Sequence, residues 1–441
     1  MKKLDVLLMG LMLFSMFFGA GNLIFPPVLG TQAGTSFWSG MAGFILTGVG
    51  LPFAVLLAVS LVKDGAQTIG NRVHPVFSTV FMVVVYLSIG PFLAIPRNAN
   101  VAFEMGVKPF LGSSTFTLLL FSVVFFSLVF LVSLNPSQME KYMGRWISPV
   151  LLVAMVILCT IGFTKLDGKL QPPVESYQSS SFSTGFIEGY NTMDALAALA
   201  FGIVILSAIK QRGVTNKKQL INYTLKASLV AGVLLSLVYV SLGLIGGKMA
   251  SSVSYESGTD LLTAASTLIL GSSGKVLLGL IFTLACFTTV VGLTVACGQY
   301  FSKLLPNMSY KLVVTVVTLI GFTLSNMGLA QILKVSVPFL VTAYPLTIVL
   351  TVLTLFSRFF KNTRPVYGSA ILFTGIFAVI SGLNTFGLDL GPIQGLREYL
   401  PLASYGLEWV IPALFGTGLG MLLGSFKAPK STAELVAKKA S

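Results

Sequence analysis

The chain has 441 residues, 55% hydrophobic and 10% charged, with 28 Lys+Arg, 14 Asp+Glu and a net charge of +14. A soluble globular domain carries roughly a quarter charged residues, so this chain has too few to cover a water-facing surface. Apolar runs of about 20 residues, enough to cross about 30 Å of hydrocarbon, recur along its whole length, and the sequence reads as one all-α polytopic membrane domain.

Several chemistries are excluded by what the residues lack. There is no Walker A motif to drive transport with ATP in this chain, no G-x-S-x-G elbow, and no His/Cys/carboxylate spacing for a metal. The sequence therefore predicts no enzyme and no cofactor. Cys159, Cys286 and Cys297 fall inside apolar runs without a Cys-x-x-Cys pair, and the single His74 lies in a short polar loop before Pro75. The start, "MKKLDVLLMGLMLFSMFFGAG", has the look of a secretory leader. Asp5 interrupts its basic region, however, and the apolar character continues to Leu29, so it is read as a first span.

Hydropathy predicts about twelve spans: 5–30, 37–62, 76–103, 115–134, 147–164, 184–209, 220–246, 275–302, 312–326, 329–357, 366–385 and 405–425. With the amino terminus inside, nineteen basic residues fall in inner segments, from Lys2 and Lys3 to the tail lysines 427, 430, 438 and 439. The outer segments hold only Lys108, Lys165, Lys169, Lys248 and Arg397, with Lys275 at a boundary. This positive-inside bias predicts an even number of spans with both ends inside. It also explains the charge as topology and attraction to the inner leaflet rather than nucleic-acid binding.

The first span carries "FFGAGNLIFPP", Phe17 to Pro27, its worst helix formers in mid-run. A break inside a bilayer survives only where it is buried in protein or lines a cavity. One half-helix ends near Phe18 and presents free carbonyls to a cation; the next begins near Gly21 and presents free N–H groups to an anion. Read alone, the stretch is equally a plain kink. Pro26 and Pro27 are expected only to bend or end the second half-helix.

The third span contains "YLSIGPFLAIPRNANVAFE". Pro91 and Pro96 bend it, and Tyr86 at mid-depth is either a substrate contact or a satisfied buried tyrosine. Arg97 and Glu104 toward its outer end are either an ion pair in a gate or interfacial anchors. An outer loop, 165–183, carries Ser179, Ser180 and Ser181. The sixth span then breaks at Gly189, Tyr190, Asn191, Thr192 and Asp194, five spans after the first break. Paired breaks at corresponding positions point to an inverted-repeat transporter with a midplane site. Asp194 is either a cation or proton group or a first-turn partner of the helix dipole.

A second outer loop, 247–274, contains "DLLTAASTLIL", a helix that is either a lid or a packed connector. In the eighth span Ala285, Thr288 and Thr289 share one helix face, where two hydroxyls suit a small hard cation or bond back to their own helix. Gly416, Gly420 and Gly424 line one face of the last span for close packing, within the chain or in a dimer.

"FFGAGNLIFPP", "GPFLAIPR", "GYNTMDALAALAFGIVI" and "GLTVACGQYF", in this order and across nearly the whole chain, resemble motifs of the branched-chain amino acid:cation symporter family, the BrnQ-type bacterial carriers. That family is assigned to the amino acid–polyamine–cation superfamily, whose fold resembles the bacterial leucine transporter. The resemblance implies a five-plus-five inverted repeat (5–164 and 184–357), two extra helices (366–425) and a cytoplasmic tail (426–441). It implies uptake of leucine, isoleucine and valine across the bacterial cytoplasmic membrane, coupled to sodium by alternating access, with no obligate protein partner. A proton-coupled or exchange carrier is the alternative, with Asp194 and Glu188 as the acids near the breaks.

By position, Gly19, Ala20, Gly21 and Asn22 would hold the substrate carboxylate through backbone amides, and Gly189, Tyr190, Asn191 and Thr192 its ammonium. Sodium would take the carbonyls of Ser15, Phe18 and Ala285 and the hydroxyls of Thr288 and Thr289. The chain departs from the family pattern at Asn98 and Asn100, where threonines are usual, and at Thr288, where some members are apolar. Phe17, Phe18 and Phe287 are candidates for an apolar slot or for plain packing.

Overall fold

The computed structural model describes residues 2–63, 65–250, 257–327, 329–388 and 400–426. Arg397 and the tail lysines lie outside the described residues. Among those described, the chain is helical throughout with no strand. Among the described residues nine helical stretches are long and apolar enough to cross a membrane, and Tyr310–Ser325 and Val410–Ser425 are shorter apolar helices.

The first crossing is broken: α1 (Lys3–Phe17) and α2 (Ala20–Ala33) meet at Phe18 and Gly19. The second is α3 (Phe37–Ile45) and α4 (Leu51–Leu61), joined by a π-helical turn at Leu46–Gly50. Gly34, at φ +47, turns the chain between α2 and α3, a conformation that favours glycine. A short α5 (Ala66–Asn71) leads to the third crossing, α6 (Pro75–Leu87) and α7 (Ala94–Gly106), with a π-helical bend at Ser88–Phe92 around Pro91. After a short α8 (Lys108–Leu111), α9 (Thr115–Ser133) and α10 (Ser148–Lys165) complete the first half.

The sixth crossing is broken like the first. Here α11 (Glu175–Glu188) passes through a 3-10 turn, Gly189–Thr192, into α12 (Asp194–Gln211). Next come α13 (Lys217–Met249), the short α14 (Gly258–Leu270), α15 (Ser272–Leu304), α16 (Tyr310–Ser325) and α17 (Leu329–Leu355). The two extra helices are α18 (Thr363–Thr385) and α19 (Val410–Phe426).

Chain order alone exposes the inversion. α5 sits between the second and third crossings of the first half, and α14 between those of the second. Five crossings separate corresponding elements, an odd number, so the halves have opposite orientation in the membrane. This is the leucine-transporter-like architecture, and it brings the two breaks together.

Glycines set the closest contacts. A methyl group at Gly30 would stand 1.8 Å from the carbonyl oxygen of Gly243, and one at Gly246 would stand 2.1 Å from that of Pro27, so α2 and α13 touch backbone to backbone. Small residues permit this approach where apolar side chains gain little by leaving lipid. The tail glycines do the same within the chain. Methyl groups at Gly416 and Gly420 would meet Ser369 at 2.6 and 2.4 Å, which ties α19 to α18.

Two expectations change. The serine-rich stretch expected in a loop is helical from Glu175, with a kink at Ser180 (φ −149, ψ 44). Ser181 bonds back one turn to the carbonyl of Tyr177, while Thr184 Oγ1 reaches across the break at Ser180 to that of Ser176, which satisfies polar groups that hydropathy counts against a helix. Of the two outcomes expected for Pro26 and Pro27, ending α2 is excluded, because the helix runs on to Ala33. With no N–H of their own, they leave the carbonyls of Asn22 and Leu23 without the usual helical donors.

Candidate substrate and cation site

The first break is held open by side chains. In a continuous helix the Gly19 N–H would bond the Ser15 carbonyl; here it donates to Asn22 Oδ1 at 3.2 Å. The Ala20 N–H donates to Asn98 Oδ1 at 2.8 Å, so the residue that departs from the family pattern props this turn. Of the four N–H groups a helix start leaves unused, those of Gly21 and Asn22 remain for a ligand. Phe18, at φ −73 and ψ 85, carries its carbonyl out of the helical path.

The Ser15 carbonyl, freed by the break, meets α15. Thr288 Oγ1 lies 2.8 Å from it, 2.9 Å from the Ala285 carbonyl oxygen and 3.1 Å from that of Leu284. Thr289 Oγ1 lies 3.5 Å from the same Ser15 oxygen. One hydroxyl hydrogen cannot serve three carbonyls, so Thr288 sits among more acceptors than it can satisfy. Oxygen-rich, donor-poor clusters suit a small hard cation. Ser15, Ala285, Thr288 and Thr289 thus converge. The break itself abuts them, since a methyl group at Gly19 would stand 2.8 Å from Thr289 Oγ1.

The second break is sharper. Met193 is left-handed (φ 67, ψ 6), rare for any residue but glycine, and such joints cost about 1–3 kcal/mol. Thr192 Oγ1 donates to the Gly189 carbonyl at 2.9 Å, and Asn191 Nδ2 donates to Glu188 Oε2 at 3.0 Å. Tyr190 stacks on Tyr344 with ring centroids 4.3 Å apart. Asp194, the first residue of α12, is buried and accepts at Oδ2 from Asn22 Nδ2 at 2.5 Å and from Tyr239 OH at 3.2 Å. Asn22 also bonds Tyr239 OH. This network ties the two breaks to α13.

Between the breaks lies a small cavity of about 20 Å³, bordered by Gly19, Ala20, Gly21 and Asn22, by Arg97 and Asn98, by Thr192 to Asp194, and by Thr289. Its apolar walls include Met16, Phe17, Ile89 and Leu293. That volume is about one water's worth, so a larger ligand requires the walls to separate. Phe18 and Phe287 pack elsewhere, Phe18 on Phe14 and Phe287 on Phe125.

Tyr86 lies away from this cavity. It stacks on Tyr300 with centroids 3.9 Å apart, at a separate vestibule of about 390 Å³ that Lys63, Lys210 and Lys303 also line. Arg97 and Glu104 form no ion pair; Arg97 turns inward and donates from Nη2 to the Asn191 carbonyl at 2.9 Å. Sequence reasoning did not place Asn98 or Tyr239 at the site. A lone tyrosine in the apolar run "SLVYVSLG" was the available signal for Tyr239.

A family model described as branched-chain amino acid transport protein matches residues 2–427. The chain belongs to this family. It is 42% identical over 430 residues to the branched-chain amino acid permease BraB of Bacillus subtilis (strain 168), with 96% of each chain covered. It is 42% identical over 431 residues to the permease BrnQ of the same organism, covering 97% of this chain and 98% of that one. It is 41% identical over 417 residues to the branched-chain amino acid transport system 2 carrier protein of Pseudomonas aeruginosa, covering 93% and 94%.

Solved structures agree on the fold. Mhp1, a nucleobase-cation-symport-1 family transporter in a closed conformation with bromovinylhydantoin bound, matches at TM-score 0.64 and 14% identity, covering 97% of this chain and 94% of that one. MhsT in complex with L-phenylalanine matches at TM-score 0.56 and 15% identity, covering 97% and 98%. This family member is a multi-pass membrane transporter for branched-chain amino acids and not an enzyme.

Proposed function

We propose that the carrier imports leucine, isoleucine and valine with sodium, by alternating access, across the bacterial cytoplasmic membrane with both termini inside. The observation that carries the sodium assignment is Thr288 Oγ1 among three carbonyls, one of them the Ser15 carbonyl that the break releases. Sodium would draw on Ser15, Phe18, Ala285, Thr288 and Thr289. Because these bridge α1 and α15, ion binding would hold the two helices in one relative position and shape the adjoining pocket. A ligand shifts such an equilibrium only through differential affinity for the two states.

The substrate would sit between the breaks, its carboxylate at the first turn of α2 and its ammonium toward Gly189 to Thr192. The aliphatic side chain would face Met16, Phe17, Ile89 and Leu293, which border the small cavity. An apolar wall separates ligands differing by one methylene by about 1–3 kcal/mol, so the three substrates compete. On the outer side α14 would act as the lid, in keeping with its close packing on α2, where a methyl group at Gly258 would stand 2.4 Å from the Ile24 carbonyl oxygen. The vestibule beside Tyr86 and the three lysines would be the inner route.

One observation favours a second reading, coupling to protons. Asp194 is a buried carboxylate bonded to Tyr239 and Asn22 within the site. Uptake into proteoliposomes with sodium and pH gradients imposed independently separates the two readings.

A further inference from the structure

Two ionisable side chains of opposite type border the small cavity without pairing. Arg97 and Asp194 are each 3% exposed. Among the described residues, neither has an ion-pair partner within 4.0 Å, whether in each other or elsewhere; the ion pairs found are those of Arg212. Burying a lone charge is expensive, and direct pairing is the usual remedy. Here the fold keeps the two apart.

Each charge is held in place by neutral groups. Arg97 donates from Nη2 to the Asn191 carbonyl at 2.9 Å, and its guanidinium stands 5.3 Å from the centre of the Phe25 ring. It presses on the bare first turn of α2, since a methyl group at Gly21 would stand 2.4 Å from Nη2. The guanidinium and the helix N-terminus therefore focus positive potential on one spot. Asp194 is held by Asn22 and Tyr239, both bonding Oδ2.

A ligand carrying one charge of each sign, fixed a short distance apart, answers both groups at once. We propose that Arg97 and Asp194 form a charge clamp for a zwitterion: Arg97 takes the α-carboxylate and Asp194 the α-ammonium. This rests on the amino-acid transport reading above and adds a substrate-selecting pair of side chains to the backbone contacts. The clamp selects the zwitterionic end, while the apolar wall selects the aliphatic side chain. The carrier should thus reject amines without a carboxylate and acids without an amine.

The test is competition against radiolabelled leucine on the purified full-length carrier in sodium. The competitors are isoamylamine, which is leucine without its carboxylate, and 4-methylpentanoate, which is leucine without its ammonium. Losing one partner of a buried charge pair typically weakens binding by about 30-fold or more. Arg97→Gln should therefore weaken leucine by about that factor and leave isoamylamine within about twofold, with Arg97→Lys recovering part of the loss. Asp194→Asn should weaken leucine comparably and leave 4-methylpentanoate unchanged or tighter. Elution as a single folded species checks each variant, and the two arms stand independently. Equal losses for leucine and the truncated ligand in both arms would overturn the clamp and leave the transport reading intact. A wild-type chain that binds no leucine would overturn both.

Discussion

Thr288 Oγ1 lies 2.8 Å from the carbonyl oxygen of Ser15, a contact that spans 273 residues and joins α15 to the end of α1. The carbonyl is available only because the Gly19 N–H has turned to Asn22. Thr288→Val keeps the shape and removes the hydroxyl; Thr289→Ala removes the other. Each is expected to raise the sodium concentration for half-maximal leucine uptake by about tenfold, which is about 1.4 kcal/mol and lies within the usual 1–3 kcal/mol range for coupled sites. Sodium titration of uptake checks this, and an unchanged midpoint in both variants would remove the cation from this cluster.

Gly21 tests the crowding at the first break. A methyl group there would stand 2.4 Å from Arg97 Nη2 and 3.0 Å from the Asn191 carbonyl oxygen. Arg97 can swing, but the carbonyl belongs to backbone. Gly21→Ala is expected to lower leucine uptake by about 100-fold, as overpacking of about 1–3 kcal/mol adds to loss of the carboxylate site. Thermal stability should fall by much less than uptake. Uptake and melting temperature, measured on the same preparation, decide between a site defect and a general one.

Gly30 tests packing instead. A methyl group would stand 1.8 Å from the Gly243 carbonyl oxygen and 2.9 Å from the Gly247 nitrogen, so α2 and α13 must move apart. Gly30→Ala should cost about 1–3 kcal/mol and lower the melting temperature by several degrees. Gly418→Ala is the control, because a methyl group there meets nothing within 4 Å. Its melting temperature should hold or rise slightly.

Arg212 fastens three segments on the side of the amino terminus. Its Nη1 lies 2.5 Å from Asp5 Oδ1, while Nε and Nη2 both bond Glu140. The group thus ties the end of α12 to the first turn of α1 and to the entry of the fifth crossing. Behind it lies a cavity of about 240 Å³ that reaches Ser207 and Gln299. The three side chains are only partly buried, with relative exposures of 31%, 24% and 14%, so each pair is worth about 1 kcal/mol or less. Arg212→Gln should therefore speed alkylation of Ser207→Cys by about two- to tenfold. The native cysteines are buried and leave a low background. An unchanged rate would show that the ion pairs do not restrain opening.

Much of this was legible in the sequence because it depends on local chemistry. Apolar runs fixed the crossings, and Gly-Ala-Gly and Gly-Tyr-Asn-Thr marked the breaks where helix propensity fails. Thr288 and Thr289 followed from helical spacing. What escaped depends on distant partners. Arg97 faces inward on α7, which follows the bend at Ser88–Phe92, and Asn98 reaches the Ala20 N–H across 78 residues. Tyr239 joins the network from α13, where hydropathy sees only an apolar run. Depth along the third span puts Tyr86 near the site; its stack on Tyr300 sets it at the vestibule instead.

The central claim is that sodium drives substrate through this site. Proteoliposomes with an inward sodium gradient and equal pH on both sides should accumulate radiolabelled leucine above its equilibrium level, and unlabelled isoleucine or valine should compete. A pH gradient without sodium should drive no accumulation. Accumulation driven by the pH gradient alone and indifferent to sodium would contradict the account and turn attention to Asp194.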